Sequence, residues 1–131
     1  MNNEIIIVDT DIIINYVRQT SLVLLKKLKL HALGKLKLVV STITLFEFYS
    51  GGTNEFEEKM EDSDLLFSQF FRQPVTDEIA KLAASLNRKY HLYGKIGASD
   101  LLIAATSIYL GGKLLTANKR HFKLIPGLNL A

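Results

Sequence analysis

Four acidic or amide side chains stand beside apolar runs at widely separated points of the chain. Asp9 ends Ile5-Ile6-Ile7-Val8, and Glu47 ends Ile43-Thr44-Leu45-Phe46. Asp100 follows Ala98-Ser99 and opens Leu101-Leu102, and Asn118 follows Leu114-Leu115-Thr116-Ala117. A hydrophobic strand that ends in a carboxylate delivers charge to one edge of a sheet, and several such ends can converge on one pocket. Carboxylates packed together repel, so at neutral pH they protonate or hold a cation. An oxygen-only set of Asp and Glu suits Mg²⁺ or Mn²⁺. Asp9 follows three isoleucines and a valine and has no Lys or Arg beside it. Burying an unpaired charge costs on the order of several kcal/mol, and a divalent cation would supply the partner.

Each of these residues also has a plain structural use. Asp9 can cap the helix that follows it. Thr44-Leu45-Phe46-Glu47 fits the S/T-x-x-E capping box, in which Glu47 would only close a helix start. Asp100 suits the positive end of a helix. Asn118 is a good cap for a short helix through Phe122. A capping carboxylate can still face a metal, so the two uses coexist.

The elements that would position them alternate. Glu4–Val8 and Leu36–Ser41 read as strands. Helices are expected from Thr10 to about Arg18, from Ser21 to Leu33, over Ile43–Ser50, and from Asn54, as N-cap, to about Phe70. Arg72–Val75 reads as a third strand. Asp77–Leu92 is the clearest helix, with Ile79, Leu82, Ala83, Leu86 and Tyr90 on one face and Thr76 as its cap. Asp100–Leu110 is apolar nearly all round and should be buried. Lys113–Thr116 is a fourth strand and Gly127–Leu130 a weak fifth. Gly51-Gly52 and Gly111-Gly112 mark helix ends, where glycine takes the left-handed conformation. Strands alternating with helices give an α/β fold with a parallel sheet, whose ligands sit beyond the carboxyl ends of the strands at the switch point.

Composition bounds the rest. A chain of 131 residues, 48% hydrophobic and 22% charged, fits one globular domain. There is no cysteine, which removes disulfides, thiolate metal sites and a Cys nucleophile. His31, His91 and His121 share no close spacing, so a His-based zinc site is not expected. The net charge of +3 is a mild bias towards acidic partners. Lysines cluster at Lys26, Lys27, Lys29, Lys35 and Lys37, and a second basic group is Lys113, Lys119, Arg120, His121 and Lys123. Met1-Asn2-Asn3-Glu4 is no signal-peptide start, and Leu101–Leu110 is too short to span a bilayer. A soluble, cytoplasmic protein with no membrane partner is expected.

Asp9-Thr10-Asp11 also resembles the opening motif of haloacid-dehalogenase-type phosphatases, in which Asp9 would be the nucleophile. That motif wants Thr or Val where Ile13 stands, and paired aspartates late in the chain where only Asp100 is available. A receiver domain would need a phospho-accepting Asp after the third strand, and Asp77 lies inside a helix start. Neither pattern uses Glu47.

Taken in order, the segments are Asp9-Thr10-Asp11-Ile12-Ile13-Ile14, Ser41-x-Ile43-Thr44-x-x-Glu47-x-x-x-Gly51, Ser99-Asp100-Leu101-Leu102-Ile103-Ala104-Ala105 and Leu115-Thr116-x-Asn118-x-x-His121-Phe122. This order closely resembles PIN-domain ribonucleases, and within them the VapC-like toxins of toxin–antitoxin pairs; Ile125-Pro126-Gly127-Leu128 resembles the VapC ending. The resemblance covers nearly the whole chain and implies a single PIN domain over 1–131. It implies an α/β/α sandwich with a parallel sheet of about five strands in the order 3-2-1-4-5. It implies Mg²⁺- or Mn²⁺-dependent endoribonuclease activity, an RNA substrate, a homodimer, and a cognate antitoxin whose tail covers the acidic groove. By position, Asp9, Glu47 and Asp100 match the family's three core acids and Asn118 the fourth position. The sequence departs from the family at His121, where relatives often carry Asp or Glu before Phe122.

On this reading Asp9 and Asp100 hold the metal, Glu47 orients or deprotonates the attacking water, and Thr10, Ser99, Thr116 and Asn118 hydrogen-bond the ligands or a phosphate. The lysine patches would guide an RNA backbone towards an otherwise repulsive pocket. Leu22, Leu25, Leu28, Leu33, Phe46, Phe48, Tyr49, Phe67, Phe70 and Phe71 exceed what one small core obviously needs; core packing is expected for most of them, and some are expected to line a groove for the antitoxin or a self-association surface. A PIN fold without chemistry, acting only as a binding module, is the remaining alternative.

Overall fold

A computed structural model gives the fold and describes residues 4–51 and 60–131. Strand β1 (Glu4–Val8) shows why the sheet lies in the middle. Ile6 and Val8 pack into one core with Leu38 and Val40 of β2 (Leu36–Ser41), whereas Ile7 and Val39 pack into the other. Successive strand side chains point to opposite faces, so an unbroken apolar run must be covered on both. Ile6, Ile7, Val8, Leu38 and Val40 have no exposed surface. Each such side chain contributes about 1.5–3 kcal/mol of burial.

The first face is covered by α1 (Thr10–Val17), α2 (Val23–Ala32), α3 (Thr42–Ser50) and α4 (Met60–Ser68). The second is covered by α5 (Asp77–Tyr90) and α6 (Ala98–Leu110). Ile79, Ala83 and Leu86 of α5 are buried, as the helical period requires, with the Thr76 hydroxyl accepting from the Ile79 amide at 3.3 Å. Helix α6 buries Leu101 and every residue from Ile103 to Ser107. Tyr109, near its C-terminal end, is exposed.

Among the described residues the sheet has the order β3-β2-β1-β4, all parallel, with β3 at Phe71–Gln73 and β4 at Lys113–Leu115. Ile7 pairs with Val39 on one side and Leu114 on the other. Where a fifth strand was expected, Leu130 makes a single parallel bridge to Leu114, through Leu114 N–H to the Asn129 carbonyl and Ala131 N–H to the Leu114 carbonyl. The third strand sits earlier than the expected Arg72–Val75, because Pro74 has no N–H to give to the ladder. Of the helix expected over Asn54–Phe70, residues 54–59 and the cap at Asn54 lie outside the described residues.

Two glycines carry geometry. Gly111 ends α6 in the left-handed region, with φ +67. A Cβ on Gly112 would stand 2.6 Å from Ile7 Cδ1 and 2.7 Å from the Ile5 carbonyl oxygen, so only glycine lets β4 enter beside β1. Gly51 also ends a helix, α3, but with φ −71 rather than the expected left-handed turn.

Candidate active site

The chain lays β1, β2 and β3 outward in one direction and then returns to place β4 on the far side of β1. The switch point therefore lies between the carboxyl ends of β1 and β4, at Asp9 and Thr116. A pocket of about 330 Å³ opens there, lined by Asp9, Thr10, Asp11, Ile14, Glu47, Asp100, Asn118 and Phe122.

Asp9 is only 5% exposed. It caps α1, with Oδ1 accepting from the Thr10 N–H at 2.8 Å, and its Oδ2 accepts from the Thr116 hydroxyl at 2.7 Å. Its own N–H donates to the Leu115 carbonyl at 2.9 Å, which ties it to the end of β4. Burial pushes its carboxyl up to about 7, helped by the Asp11 charge and more weakly by Asp100, against the opposing hydrogen bonds from Thr116 and Thr10. It carries the chemistry of a buried acid without a cation.

Glu47 arrives from α3. The capping box drawn from the sequence does not form: Ser41 is the N-cap, with its hydroxyl accepting from Ile43 N–H at 3.1 Å, and Glu47 lies in the second turn. Its Oε1 instead accepts from the Thr10 hydroxyl at 2.7 Å. Buried Thr44 stands behind that contact, its hydroxyl 3.3 Å from that of Thr10. Asp100 sits in the first turn of α6, whose N-cap is Gly97. Its charge there is favoured by the helix dipole. Asn118 precedes the short helix α7 (Lys119–Phe122) but makes no side-chain cap bond, so its amide remains available to the pocket, while its N–H donates to the Thr116 hydroxyl at 3.0 Å.

Of the residues singled out from the sequence, Asp9, Thr10, Glu47, Asp100 and Asn118 line the pocket. Thr116 lies buried behind Asp9, and Ser99, half-buried beside Asp100, is not part of the lining. Asp11 was given no place in the site by sequence reasoning. Its carboxylate accepts from the Ala117 N–H at 3.2 Å and faces the Thr116 hydroxyl at 3.4 Å, so it closes the pocket on the β4 side. The signal was its spacing from Asp9, which puts both acids within one helical turn. His121, which belongs to the second basic group and stands where relatives often carry an acid, has its Nε2 3.1 Å from Asp100 Oδ2.

Among the described residues no three carboxylate or imidazole groups converge closely enough to form a ready-made cage for one ion. The acids surround the pocket instead. That donor set fits Mg²⁺, which keeps several of its waters and is held through one or two carboxylates. The buried Asp9 carboxylate, met only by a hydroxyl and an amide, is the observation that calls for it.

The PIN domain family model matches residues 6–128. The chain is 33% identical over 93 residues to Ribonuclease VapC19 of Mycobacterium tuberculosis, covering 70% of this chain and 72% of the relative. It is 32% identical over 124 residues to Ribonuclease VapC10 of the same species, covering 94% and 90%. Its fold superposes with a TM-score of 0.86 on a chain of VapBC2 from Rickettsia felis bound to a DNA fragment from their promoter, at 25% identity and 97% coverage of both chains. The chain belongs to the PIN domain family, and the named relatives it resembles within that family are VapC ribonucleases.

Proposed function

We propose that the chain is a metal-dependent endoribonuclease and the toxin of a toxin–antitoxin pair, acting in the cytoplasm as one PIN domain over 1–131. The observation that carries the reading is the acid-lined pocket at the β1–β4 switch point, with Asp9 buried in it and no cationic partner for that carboxylate among the described residues. The family match and the VapC relatives support the same reading.

In this reading Asp9 and Asp100 are the residues that hold Mg²⁺ or Mn²⁺. The cation, when bound, lowers the pKa of water and offsets charge on the phosphate oxygens. Glu47 takes the proton from the attacking water. The Thr10 hydroxyl at 2.7 Å fixes the carboxylate of Glu47 and leaves its other oxygen for that task. Thr116 and the Thr10 N–H hold Asp9 in one rotamer. Asn118 can donate its amide to a phosphate at the mouth. Lys119, Arg120 and Lys123, all exposed beside it, offset the repulsion between RNA and the acids.

Partner surfaces fit the toxin reading. A groove of about 700 Å³ runs between α1 with the segment that follows it and α4, lined by Tyr16, Val17, Leu22, Leu65, Leu66 and Gln69 among others. Leu22 is 66% and Leu65 67% exposed. An apolar helix face of an antitoxin suits such a groove. A homodimer would draw on the remaining exposed apolar residues, Leu33 and Phe71 among them.

The test is cleavage of a labelled RNA by purified protein with Mg²⁺ or Mn²⁺, and with EDTA, for the parent, Asp9→Asn, Asp100→Asn and Glu47→Gln. Loss of at least about a hundredfold in each variant, with folding retained, is expected. Variants that cut like the parent would overturn the assignment. Turnover of a chromogenic phosphate ester that depends on Asp9 would favour the phosphatase reading instead.

A further inference from the structure

His121 does not line the pocket but touches Asp100, which does. His121 lies in the single turn of α7, and its ring stands edge-on to Phe122 at 5.4 Å, against a side chain that is 1% exposed. That packing limits the ring to one side of the site. Its Nε2 then meets Asp100 Oδ2 at 3.1 Å, with both side chains about one-quarter to one-third exposed. Among the described residues no Lys or Arg forms an ion pair with Asp9, Asp11, Glu47 or Asp100, and His121 is the one basic side chain that touches any of them.

A nitrogen and a carboxylate oxygen so placed can share a proton, or they can share a cation. Two donors at right angles around one ion, with bonds of about 2.1 Å, are about 3 Å apart. The observed contact is a hydrogen bond of 3.1 Å, and its length equals the separation that arrangement needs. When the ring proton is on Nδ1, Nε2 carries a lone pair that a cation held by Asp100 could take up. Mg²⁺ takes oxygen donors and gives up its waters reluctantly, whereas imidazole nitrogen suits first-row transition-metal dications.

We propose that His121 is a nitrogen ligand of the metal site, and that with Asp100 it makes the pocket select Mn²⁺ or a later first-row dication over Mg²⁺. The inference rests on the reading of the pocket as a metal site. It concerns which ion that site takes, and which residue decides it. Asp9, Glu47 and Asn118 would bring only oxygen, or an amide, so the preference would be set by this one ring.

The probe is Mn²⁺ itself, bound to the full chain. Electron paramagnetic resonance gives its affinity, electron spin-echo modulation shows whether a nitrogen is bonded to it, and Mg²⁺ affinity follows by competition. The parent should show nitrogen modulation of one imidazole. Asp100→Asn should lose the modulated ion, which places it at this pocket rather than at His31 or His91. His121→Gln should lose the modulation, and the Mn²⁺-over-Mg²⁺ ratio should fall roughly tenfold. His121→Asp should give the same fall while keeping Mg²⁺ binding. If His121 only orients Asp100, both cations weaken together, the ratio stays, and the inference is overturned. Mn²⁺ held by the parent without nitrogen modulation sinks the inference alone. A parent that holds neither cation refutes the metal reading beneath it as well.

Discussion

Replacing Asp9 by Asn should make the metal-free protein more stable at pH 8 and not at pH 4. The carboxyl of Asp9 is raised from 3.8 to about 7, chiefly by burial and then by the Asp11 charge. A folded-state value above the unfolded one means that the folded chain keeps its proton longer. The contribution of this group to stability is therefore greatest below about pH 4 and falls as pH rises from about 4 to about 7. A rise of about three units corresponds to about 4 kcal/mol lost across that window. Asparagine has the same shape and no charge, so it escapes this loss. One of its two acceptors becomes an NH2, so the bonds from the Thr10 N–H and the Thr116 hydroxyl can no longer both be accepted, which takes back about 1–2 kcal/mol. The expected gain is about 2 kcal/mol at pH 8. Urea unfolding in EDTA, followed by circular dichroism from pH 4 to pH 8, measures it. Adding Mg²⁺ at ten times its dissociation constant should then stabilise the parent by about 1.4 kcal/mol and leave the variant unchanged. A stability gap that does not vary with pH, or a variant less stable than the parent at pH 8, would refute the reasoning.

Other residues give separate tests. Thr10→Val removes the donor to Glu47 at 2.7 Å while keeping the volume, and should cut RNA cleavage about tenfold at a cost of about 1 kcal/mol, read by single-turnover kinetics and urea unfolding. Gly112→Ala forces a methyl to within 2.6 Å of Ile7 Cδ1 and should destabilise by about 1–3 kcal/mol, seen as a lower Tm. Leu22→Ser combined with Leu65→Ser changes two side chains that are 66% and 67% exposed, so the isolated chain should unfold within about 0.5 kcal/mol of the parent for each change. The same pair should lose the antitoxin when the product of the neighbouring gene is co-expressed and pulled down.

The strands and helices that were legible in the sequence are those whose burial follows a strict period. β1 and β2 are apolar on both faces and could only be central. α5 shows its buried stripe at Ile79, Ala83 and Leu86, and its acidic first turn marks where it begins. Elements at the rim were less legible. β3 has three residues, two of them exposed, and its position is set by pairing Val39 to Phe71 and by Pro74 rather than by its own composition. The bridge at Leu130 likewise depends on β4 already being in place. Of the ten apolar residues expected to divide between core and partner surface, Leu28, Phe48, Phe67 and Phe70 are core. Leu22, Leu33, Phe46, Tyr49 and Phe71 are exposed, and sequence spacing alone could not separate the two groups.

The pocket divides along the same line. Its carboxylates could be found because an acid after an apolar run is conspicuous at any separation along the chain. Thr10 and Thr116 stand out in the sequence as hydrogen-bonding groups of the site, but which acid each meets does not. Thr44 and Glu47 satisfy a local capping pattern as written, yet the helix begins at Ser41 because β2 ends there, and that shift releases Glu47 to meet Thr10, 37 positions away. Thr116 reaches Asp9 across 107 positions because β4 lies beside β1. A hydroxyl or an imidazole carries no sequence signal of which carboxylate it will serve; only the strand order decides that. The same β1–β4 adjacency buries Asp9, raises its pKa and opens the pocket. The unfavourable ionisation of Asp9 and the pocket beside it thus have one structural cause, and a variant that relieves the first should lose the cation proposed for the second.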